Sequence, residues 1–353
     1  MSFFLRNFVL VIFTILCTLI CGCRHTTKNQ LSDWKNDDIV MSEAIYGEGW
    51  SSPIVENDTY IFYIRKDNKI VRFDKEKEEK AEIVEMEEST PQGMENLEDN
   101  ISAVLVSASG KKLYYHTKNE IYQCDFDGKH RKKIFSKENL KNQSDEDVSS
   151  IDAIHIEDDN IYLILESSYI AQMNIDQKKM KIIAEETNGE SCFYKNDLYY
   201  IDLYDPAIYR WNPDTMQKEI VRGERWSEEA EDDESTVWYR QIFMMGDKLY
   251  YLNDQKDAGT KLYLYDENGD DKLQYEMGKS EKMLGTVVTD SSKIFYKYLK
   301  DKGNYKLKEV DLITGKEEER SIPKRFEYGI KIIDGTLLYT TTEGNRYYVM
   351  DLE

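Results

Sequence analysis

KKLYYHTKNEIYQCDFDGKHRKKIF, residues 111–135, contains three short runs of apolar and aromatic residues separated by polar turns. The second run ends at Asp125, a turn with Gly128 follows, and the third run comes after the basic residues 131–133. Short runs rich in Tyr, Ile and Leu between Asn, Asp, Gly and Lys clusters are typical of consecutive antiparallel strands. This stretch therefore predicts one up-and-down sheet unit.

The same unit recurs seven times along the chain. Its first anchor is an apolar-aromatic triplet, found at 61–63, 113–115, 161–163, 198–200, 249–251, 294–296 and 337–339. The third positions of successive triplets are separated by 52, 48, 37, 51, 45 and 43 residues. A second anchor ending in Asp or Asn follows each triplet, at 70–74, 121–125, 170–174, 208–212, 262–266, 307–311 and 347–351. Two anchors that keep one register at this period predict a β-propeller.

Adjacent positions of the first anchor are both apolar, as in Leu113-Tyr114-Tyr115. Both faces of such a strand require burial, which favours stacked blades over a half-exposed sheet. Apolar stretches before six of the anchors supply the innermost strands, at 101–106, 151–156, 191–194, 237–244, 284–289 and 328–333. We therefore predict an all-β fold, a seven-bladed β-propeller of four-stranded antiparallel blades.

The last repeat stops at Glu353, directly after its third strand. An incomplete blade would leave unpaired backbone groups along its edge. The residues before the first complete unit, 38–45, are available to fill that position. We expect this N-terminal strand to complete the C-terminal blade.

The N-terminus is typical of an exported protein. Arg6 precedes an apolar run, residues 8–20, that is shorter than the roughly 20 residues needed to span a bilayer. The sequence Ile20-Cys21-Gly22-Cys23 resembles the lipobox of bacterial lipoproteins, and this resemblance implies that Cys23 is lipidated. A plain cleaved signal or an uncleaved anchor is the alternative.

The lipobox resemblance also implies a domain organisation. Residues 1–22 would be a lipoprotein signal peptide, residues 23–38 a polar tether, and residues 39–353 the propeller domain. The protein would then be attached to the cell membrane through its lipid, on the extracytoplasmic face.

The composition excludes some partners. A formal net charge of −21 argues against binding of nucleic acid through bulk electrostatics. The four His and the cysteines Cys124 and Cys192 form no metal-ligand or disulfide pattern, and we predict no metal site and no cofactor. The acidic stretch 266–270 superficially matches a calcium loop, but it lacks the required Gly and Glu, so we interpret it as a hairpin turn.

The repeats resemble bacterial cell-surface lipoproteins with Tyr-rich propellers of the TolB-like and low-density-lipoprotein-receptor-like kind, a family of unknown function. The resemblance implies a binding or scaffolding module for a glycan, peptide or envelope protein. The alternative is a propeller-based enzyme such as a polysaccharide lyase or glycosidase. No nucleophile, metal or phosphate motif is present, so no catalytic residue is predicted.

Two features predict where ligands would bind. The loops between blades are acidic at 85–99, 144–147 and 228–234, either as solvated loops or as a face for a cationic partner or divalent cations. Aromatic and charged residues at the starts of innermost strands predict a ligand site at the channel mouth, formed by Trp50, Trp238, Tyr239, Arg240, Glu327 and Tyr328. The alternative is that such residues plug the channel.

Overall fold

The computed structural model describes residues 33–40, 49–86, 100–107, 111–139, 150–157, 160–166, 168–174, 180–226, 236–255, 259–278, 282–301, 303–341 and 347–352. Within these ranges, 27 strands form seven antiparallel sheets, six of four strands and one of three. The predicted all-β, seven-bladed propeller is therefore confirmed. The propeller unit spans Asp38–Glu353, and a short 3-10 helix, Asp33–Asn36, precedes it in the sequence. Among the described residues, no helix has the length and apolar character needed to cross a membrane.

The strands follow one another in chain order within each blade. Blade 1 contains β1 (Ile54–Glu56), β2 (Tyr60–Arg65), β3 (Lys69–Asp74) and β4 (Glu79–Glu85). Blade 2 contains β5 (Ala103–Val106), β6 (Leu113–His116), β7 (Glu120–Cys124) and β8 (Lys132–Ser136). Blade 3 contains β9 (Ile151–Glu157), β10 (Asn160–Leu165), β11 (Tyr169–Asn174) and β12 (Met180–Ala184). Blade 4 contains β13 (Thr187–Tyr194), β14 (Asp197–Asp202), β15 (Ala207–Asn212) and β16 (Gln217–Gly223).

The last three blades repeat this plan. Blade 5 contains β17 (Val237–Met245), β18 (Lys248–Gln255), β19 (Gly259–Leu264) and β20 (Lys272–Glu276). Blade 6 contains β21 (Lys282–Asp290), β22 (Lys293–Asp301), β23 (Asn304–Asp311) and β24 (Glu317–Ser321). Blade 7 contains β25 (Phe326–Ile333), β26 (Thr336–Thr341) and β27 (Tyr348–Asp351). Neighbouring blades contact one another through their first strands, for example β17 with β21 and β21 with β25, so the first strands are the innermost.

The second strand of each blade forms the core between blades. All residues from Leu198 to Ile201 in β14 are buried, and so is every residue of β26, which confirms that both faces of this strand are covered. The apolar clusters join adjacent blades; one cluster, for example, packs Phe62 of blade 1 with Leu113 of blade 2. Each large apolar side chain buried in this way contributes about 1.5–3 kcal/mol to stability.

The recurring tyrosines of the two anchors pair across the second hairpin. In four blades a Tyr of the second strand lies opposite a Tyr of the third strand, with ring centroids 5.1–5.7 Å apart: Tyr115–Tyr122, Tyr200–Tyr209, Tyr251–Tyr263 and Tyr339–Tyr348. Such cross-strand pairs each contribute about 0.2–1 kcal/mol and fix the register of the hairpin. The repeated anchors in the sequence are therefore the two halves of one stacking interaction.

The acidic or amide residue that ends the third strand is a turn residue. At Asp74, Asn212, Asp266 and Asp311 the side-chain oxygen accepts a hydrogen bond from a backbone N–H two or three residues later. Side chains of this type stabilise tight turns in place of backbone partners. Because Asp266 accepts from Asn268 N at 2.8 Å, the turn interpretation of residues 266–270 is confirmed.

The position of residues 38–40 corrects one part of the prediction. Ile39 pairs with Arg65, Val40 N donates to Ile64 O at 2.9 Å, and Lys66 N donates to Asp38 O at 3.0 Å. These residues therefore extend blade 1, and the expectation that they pair with the C-terminal blade is wrong. The physical reason is that β2 extends beyond the three residues of β1, which leaves backbone groups at its end to be paired. Residues 41–48 lie outside the described residues.

Residues Gly49–Pro53, which we call the inner segment, contact the inner strands of blades 2 and 3 and the second strand of blade 1. Ser51 N donates to Ile154 O of blade 3 at 2.8 Å, and Ser52 exchanges two 2.9 Å backbone hydrogen bonds with Val104 of blade 2. Pro53 O accepts from Ile64 N of blade 1 at 2.9 Å. Five consecutive residues thus connect three blades through main-chain hydrogen bonds.

A buried side-chain pair reinforces these backbone bonds. Ser51 Oγ lies 3.0 Å from Nε2 of His116 and accepts a 2.9 Å hydrogen bond from Ile154 N. His116 Nδ1 donates to Thr117 O at 3.0 Å, so its Nε2 is the acceptor for the Ser51 hydroxyl. Burial lowers the pKa of His116 to about 4, which keeps the ring neutral near pH 7.

Removal of the Ser51 hydroxyl should destabilise the propeller. Ser51→Ala leaves Ile154 N and His116 Nε2 buried without their partner, and each such loss costs about 1–3 kcal/mol. The expected result is a lower urea midpoint with an unchanged slope. Ser321→Ala, at an exposed serine that accepts only from Lys306 Nζ, is the matched control. Equal midpoints for the two variants would contradict a structural role for the inner segment.

Candidate functional site

The antiparallel order of each blade brings two kinds of connection to one end of the ring, which we call the loop face. These are the connection from a fourth strand to the next first strand and the hairpin between a second and a third strand. The acidic loops predicted at this face fall largely outside the described residues, which omit 87–99, 140–149 and 227–235. Glu85, at the end of β4, is described and exposed.

Blades 4 and 5 expose apolar side chains at the loop face. Four large apolar residues, which we call the blade 4–5 surface, are between 42% and 56% exposed: Leu203, Tyr204, Trp226 and Trp238. The first two lie in the hairpin between β14 and β15, Trp226 follows β16, and Trp238 begins β17. On a chain this acidic, a group of exposed aromatics at one end of two adjacent blades indicates an interaction site.

Hydrogen bonds fix the backbone that carries this surface. Asp202 Oδ1 accepts from the N–H groups of Tyr204 at 3.0 Å and Asp205 at 3.2 Å. Asp205 in turn accepts from Trp226 N at 2.8 Å and from the hydroxyl of Tyr209. The connection after β16 is therefore held against the β14–β15 hairpin, with Trp226 beside Asp205.

Gly223 brings the two blades together at this point. It has a φ of +77°, and a Cβ there would collide with Pro206 O and approach the ring of Tyr239 in β17. Only glycine allows both this backbone conformation and this close approach. The end of β16 therefore packs directly against the start of β17, beside Trp238.

A polar group flanks Trp238. Trp238 pairs with Asp254 in the ladder between β17 and β18, and a β-bulge follows at Arg240. Arg240 Nη1 donates to Asp254 Oδ2 at 2.9 Å, and Thr260 Oγ1 donates to the other oxygen of the same carboxylate. The bulge thus places a charged, hydrogen-bonded pair beside an exposed indole ring.

The structure separates the six residues predicted as a ligand site. Trp238 and Arg240 lie together on blade 5, whereas Trp50 is buried in the inner segment, with its ring centroid 5.6 Å from that of Phe193. Tyr239 packs edge-on against Tyr251 at 5.5 Å, and burial raises its pKa to about 12. On blade 7, Glu327 is exposed and its backbone oxygen accepts from Lys297 Nζ at 2.9 Å. The side chain of Tyr328 lies outside the described residues.

A second candidate site is a cavity of about 300 Å³ between the inner segment and the inner strands of blades 4–7. Each of these four strands, β13, β17, β21 and β25, contains a register shift in its ladder with the second strand of its blade. β-Bulges redirect side chains and are frequent next to functional sites. Gln241 stabilises one of them, because its side-chain amide exchanges hydrogen bonds of 2.9 and 2.8 Å with the backbone of Val287.

Glu190 lines this channel cavity. It belongs to the bulge of β13, between Thr187 and Ser191. Burial raises the pKa of Glu190 to about 8, so its carboxyl group is largely protonated at neutral pH. Lys331 of blade 7 lines the same cavity.

The sequence patterns missed several of these residues. Trp226 directly precedes the acidic run at 228–234, and Leu203-Tyr204 stands where other second hairpins carry polar residues; both were signals that could have been used. Glu190 precedes the predicted inner strand 191–194, because a bulge breaks the alternation there. Within the described ranges, no three His, Cys, Asp or Glu side chains come together in a way that would hold a metal ion.

These features define a seven-bladed β-propeller with an exposed aromatic surface and a lined central cavity. No protein-family model and no curated protein sequence matches this chain. Solved propellers match its fold at low identity. It is similar to a prolyl endopeptidase, with a TM-score of 0.55 and 13% identity over 87% of this chain, although the chain spans only 48% of that protein.

Two further structures match over nearly their whole length. One is the β-propeller domain of the Trilobed protease from Pyrococcus furiosus, which has an open velcro topology (TM-score 0.52, 13% identity, 88% of this chain and 97% of that chain). The other is an oligogalacturonate lyase from Vibrio parahaemolyticus (TM-score 0.53, 10% identity, 90% of this chain and 92% of that chain). At this identity the likeness concerns the fold alone.

Replacement of Glu190 should change how stability depends on pH. Between the ordinary glutamate pKa of about 4.3 and the folded value of about 8, the native state binds a proton that the unfolded state lacks, so the free energy of unfolding falls as pH rises. Glu190→Gln removes this loss. The free energy of unfolding of this variant relative to wild type should therefore increase from about pH 5 to about pH 8.5, by up to about 1.4 kcal/mol for each pKa unit, and its melting temperature should rise with it. Glu224→Gln, at an exposed glutamate, is the control, and parallel pH profiles for Glu190→Gln and wild type would contradict the assignment.

Proposed function

We propose that this protein is a lipid-anchored, extracytoplasmic binding module that recognises a glycan through the blade 4–5 surface. The observation that carries the proposal is the exposure of Tyr204, Trp226 and Trp238 at the loop face of two adjacent blades. Asp202 and Asp205 hold the backbone of Tyr204 and Trp226, and the ladder with β18 holds that of Trp238, so little conformational entropy would be lost on binding.

The chemistry of this surface suits a sugar. Pyranose rings present apolar C–H faces, which stack on indole and phenol rings, and hydroxyl groups, which require paired donors and acceptors. The Arg240–Asp254 pair and Asp205 provide such groups at the edge of the aromatic side chains. The net charge of −21 favours a neutral glycan over a polyanionic one.

The alternative of a propeller-based lyase or glycosidase has less support. The oligogalacturonate lyase has the same fold, but galacturonate oligomers are polyanions, and this chain is strongly acidic. The blade 4–5 surface consists of exposed rings beside the Arg240–Asp254 ion pair. A binding role therefore fits the side chains better than catalysis.

Loss of either indole should weaken glycan retention. Trp226→Ala and Trp238→Ala should each reduce cosedimentation with purified cell-wall sacculi by about tenfold in affinity, the effect expected of an aromatic hot spot. Leu273→Ala, at a similarly exposed apolar residue of β20, is the matched control.

Two treatments of the same assay separate the possible partners. Retention that survives high salt but is lost after glycosidase digestion of the sacculi supports the proposal. Retention that falls steeply with salt points to the acidic loops, since exposed charges are screened over about 8 Å at physiological ionic strength. Unchanged binding by both Trp variants would overturn the blade 4–5 surface as the site.

Anchoring is tested separately, at Cys23. Cys23→Ala should abolish incorporation of radiolabelled palmitate and leave the protein unprocessed or shed into the medium, because the acceptor thiol is absent. Cys21→Ala, which keeps Cys23 in the lipobox, is the control and should remain in the membrane fraction. A membrane-retained, lipid-labelled Cys23→Ala protein would refute the anchor.

A further inference from the structure

The central channel is asymmetric. On the side of blades 1–3 the inner segment forms main-chain hydrogen bonds to Ile64 in the second strand of blade 1 and to Val104 and Ile154 in the inner strands of blades 2 and 3. On the side of blades 4–7 the inner strands are bulged and face the channel cavity of about 300 Å³. The inner segment therefore forms one wall of this cavity.

The cavity wall combines one acidic and one basic side chain with apolar surface. Glu190 comes from blade 4 and Lys331 from blade 7, which are separated by two blades in the ring order. Phe243, Val287 and Trp50 contribute apolar surface between them. A concave, mostly apolar wall with a few placed polar groups is the usual form of a small-molecule site, and this volume lies at the lower end of the usual range of about 300–1,000 Å³.

We infer that the channel cavity binds a small zwitterion, a free amino acid or a short peptide, with its ammonium beside Glu190 and its carboxylate beside Lys331. The apolar residues would then cover the hydrocarbon part of the ligand. This site is separate from the blade 4–5 surface, so an experiment can refute either proposal without refuting the other.

The protonation state of Glu190 predicts that a proton is released when the ligand binds. With its pKa raised to about 8 by burial, Glu190 is largely neutral near pH 7. An ammonium placed beside it favours the ionised carboxylate, so binding should release a proton to solvent. Among the described residues, Lys331 and Glu56 also line the cavity, and Glu56 forms an ion pair with Lys75 at 2.5 Å.

The experiment is calorimetric titration of the mature protein with linear ω-amino acids from glycine to 6-aminohexanoate, together with L-alanyl-L-leucine. Hexylamine and hexanoate, which each carry one of the two charges, are the ligand controls. At least one zwitterion should bind about tenfold more tightly than either control, which corresponds to about 1.4 kcal/mol. Titrations near pH 7 in buffers of different ionisation enthalpy should show release of up to one proton per ligand.

Two variants test which residue binds each charged group of the ligand. Glu190→Gln should lose the preference for an ammonium and the proton release, whereas Glu224→Gln should keep both. Lys331→Met should lose the preference for a carboxylate. If Lys331→Met does not fold, Glu190→Gln and the two ligand controls still test whether the cavity binds a zwitterion.

Three results would overturn the inference. The first is that no zwitterion binds the folded wild-type protein at millimolar concentration. The second is that hexylamine or hexanoate binds as tightly as every zwitterion. The third is that Glu190→Gln retains both the ammonium preference and the proton release.

Discussion

The main-chain hydrogen bonds of the inner segment are the constraint on which this propeller depends. A ring of blades packed face to face is held by apolar contacts that have no direction, so something must fix which inner strands meet. Ser51 and Ser52 supply that information, since they bond the inner strands of blades 3 and 2 while Pro53 bonds blade 1. The Ser51–His116 pair makes the arrangement intolerant of shifts, because a displaced hydroxyl would leave buried polar atoms unsatisfied.

The position of the inner segment makes the two sides of the channel different. The inner segment pairs its backbone with strands of blades 1–3. In blades 4–7 the inner strands carry bulges, as β9 of blade 3 also does, and side chains such as Gln241 complete the backbone pairing of the neighbouring blade. Bulges cost regular ladder bonds, and they persist here beside a cavity lined by a carboxyl and an ammonium group. The exposed blade 4–5 surface lies on the same two blades that begin this bulged half.

Much of the fold could be predicted because it depends on interactions between residues that are close in the sequence. The Tyr pairs, such as Tyr115–Tyr122, and the turn residues, such as Asp311, recur within each repeat, and each acts within one hairpin. The role of Trp50 could not be predicted in the same way, because its surroundings come from blades 3 and 4, more than a hundred residues later. The same holds for Glu190, whose pKa follows from burial that only the closed ring creates. The position of Trp238 could be predicted because the start of a strand is a local feature of the sequence. The position of Trp226 could not, because it depends on a hydrogen bond to Asp205 in the β14–β15 hairpin.

The inner segment also sets an order of events during synthesis. Ser51 leaves the ribosome before any blade, yet its partners His116 and Ile154 lie 65 and 103 residues further along the chain. The first 50 or so residues of the domain must therefore wait in an open state until blade 3 has been made, and non-local contacts of this kind form slowly. The buried contacts of the inner segment therefore form only after the third repeat has emerged, and until then the start of the domain stays exposed to solvent.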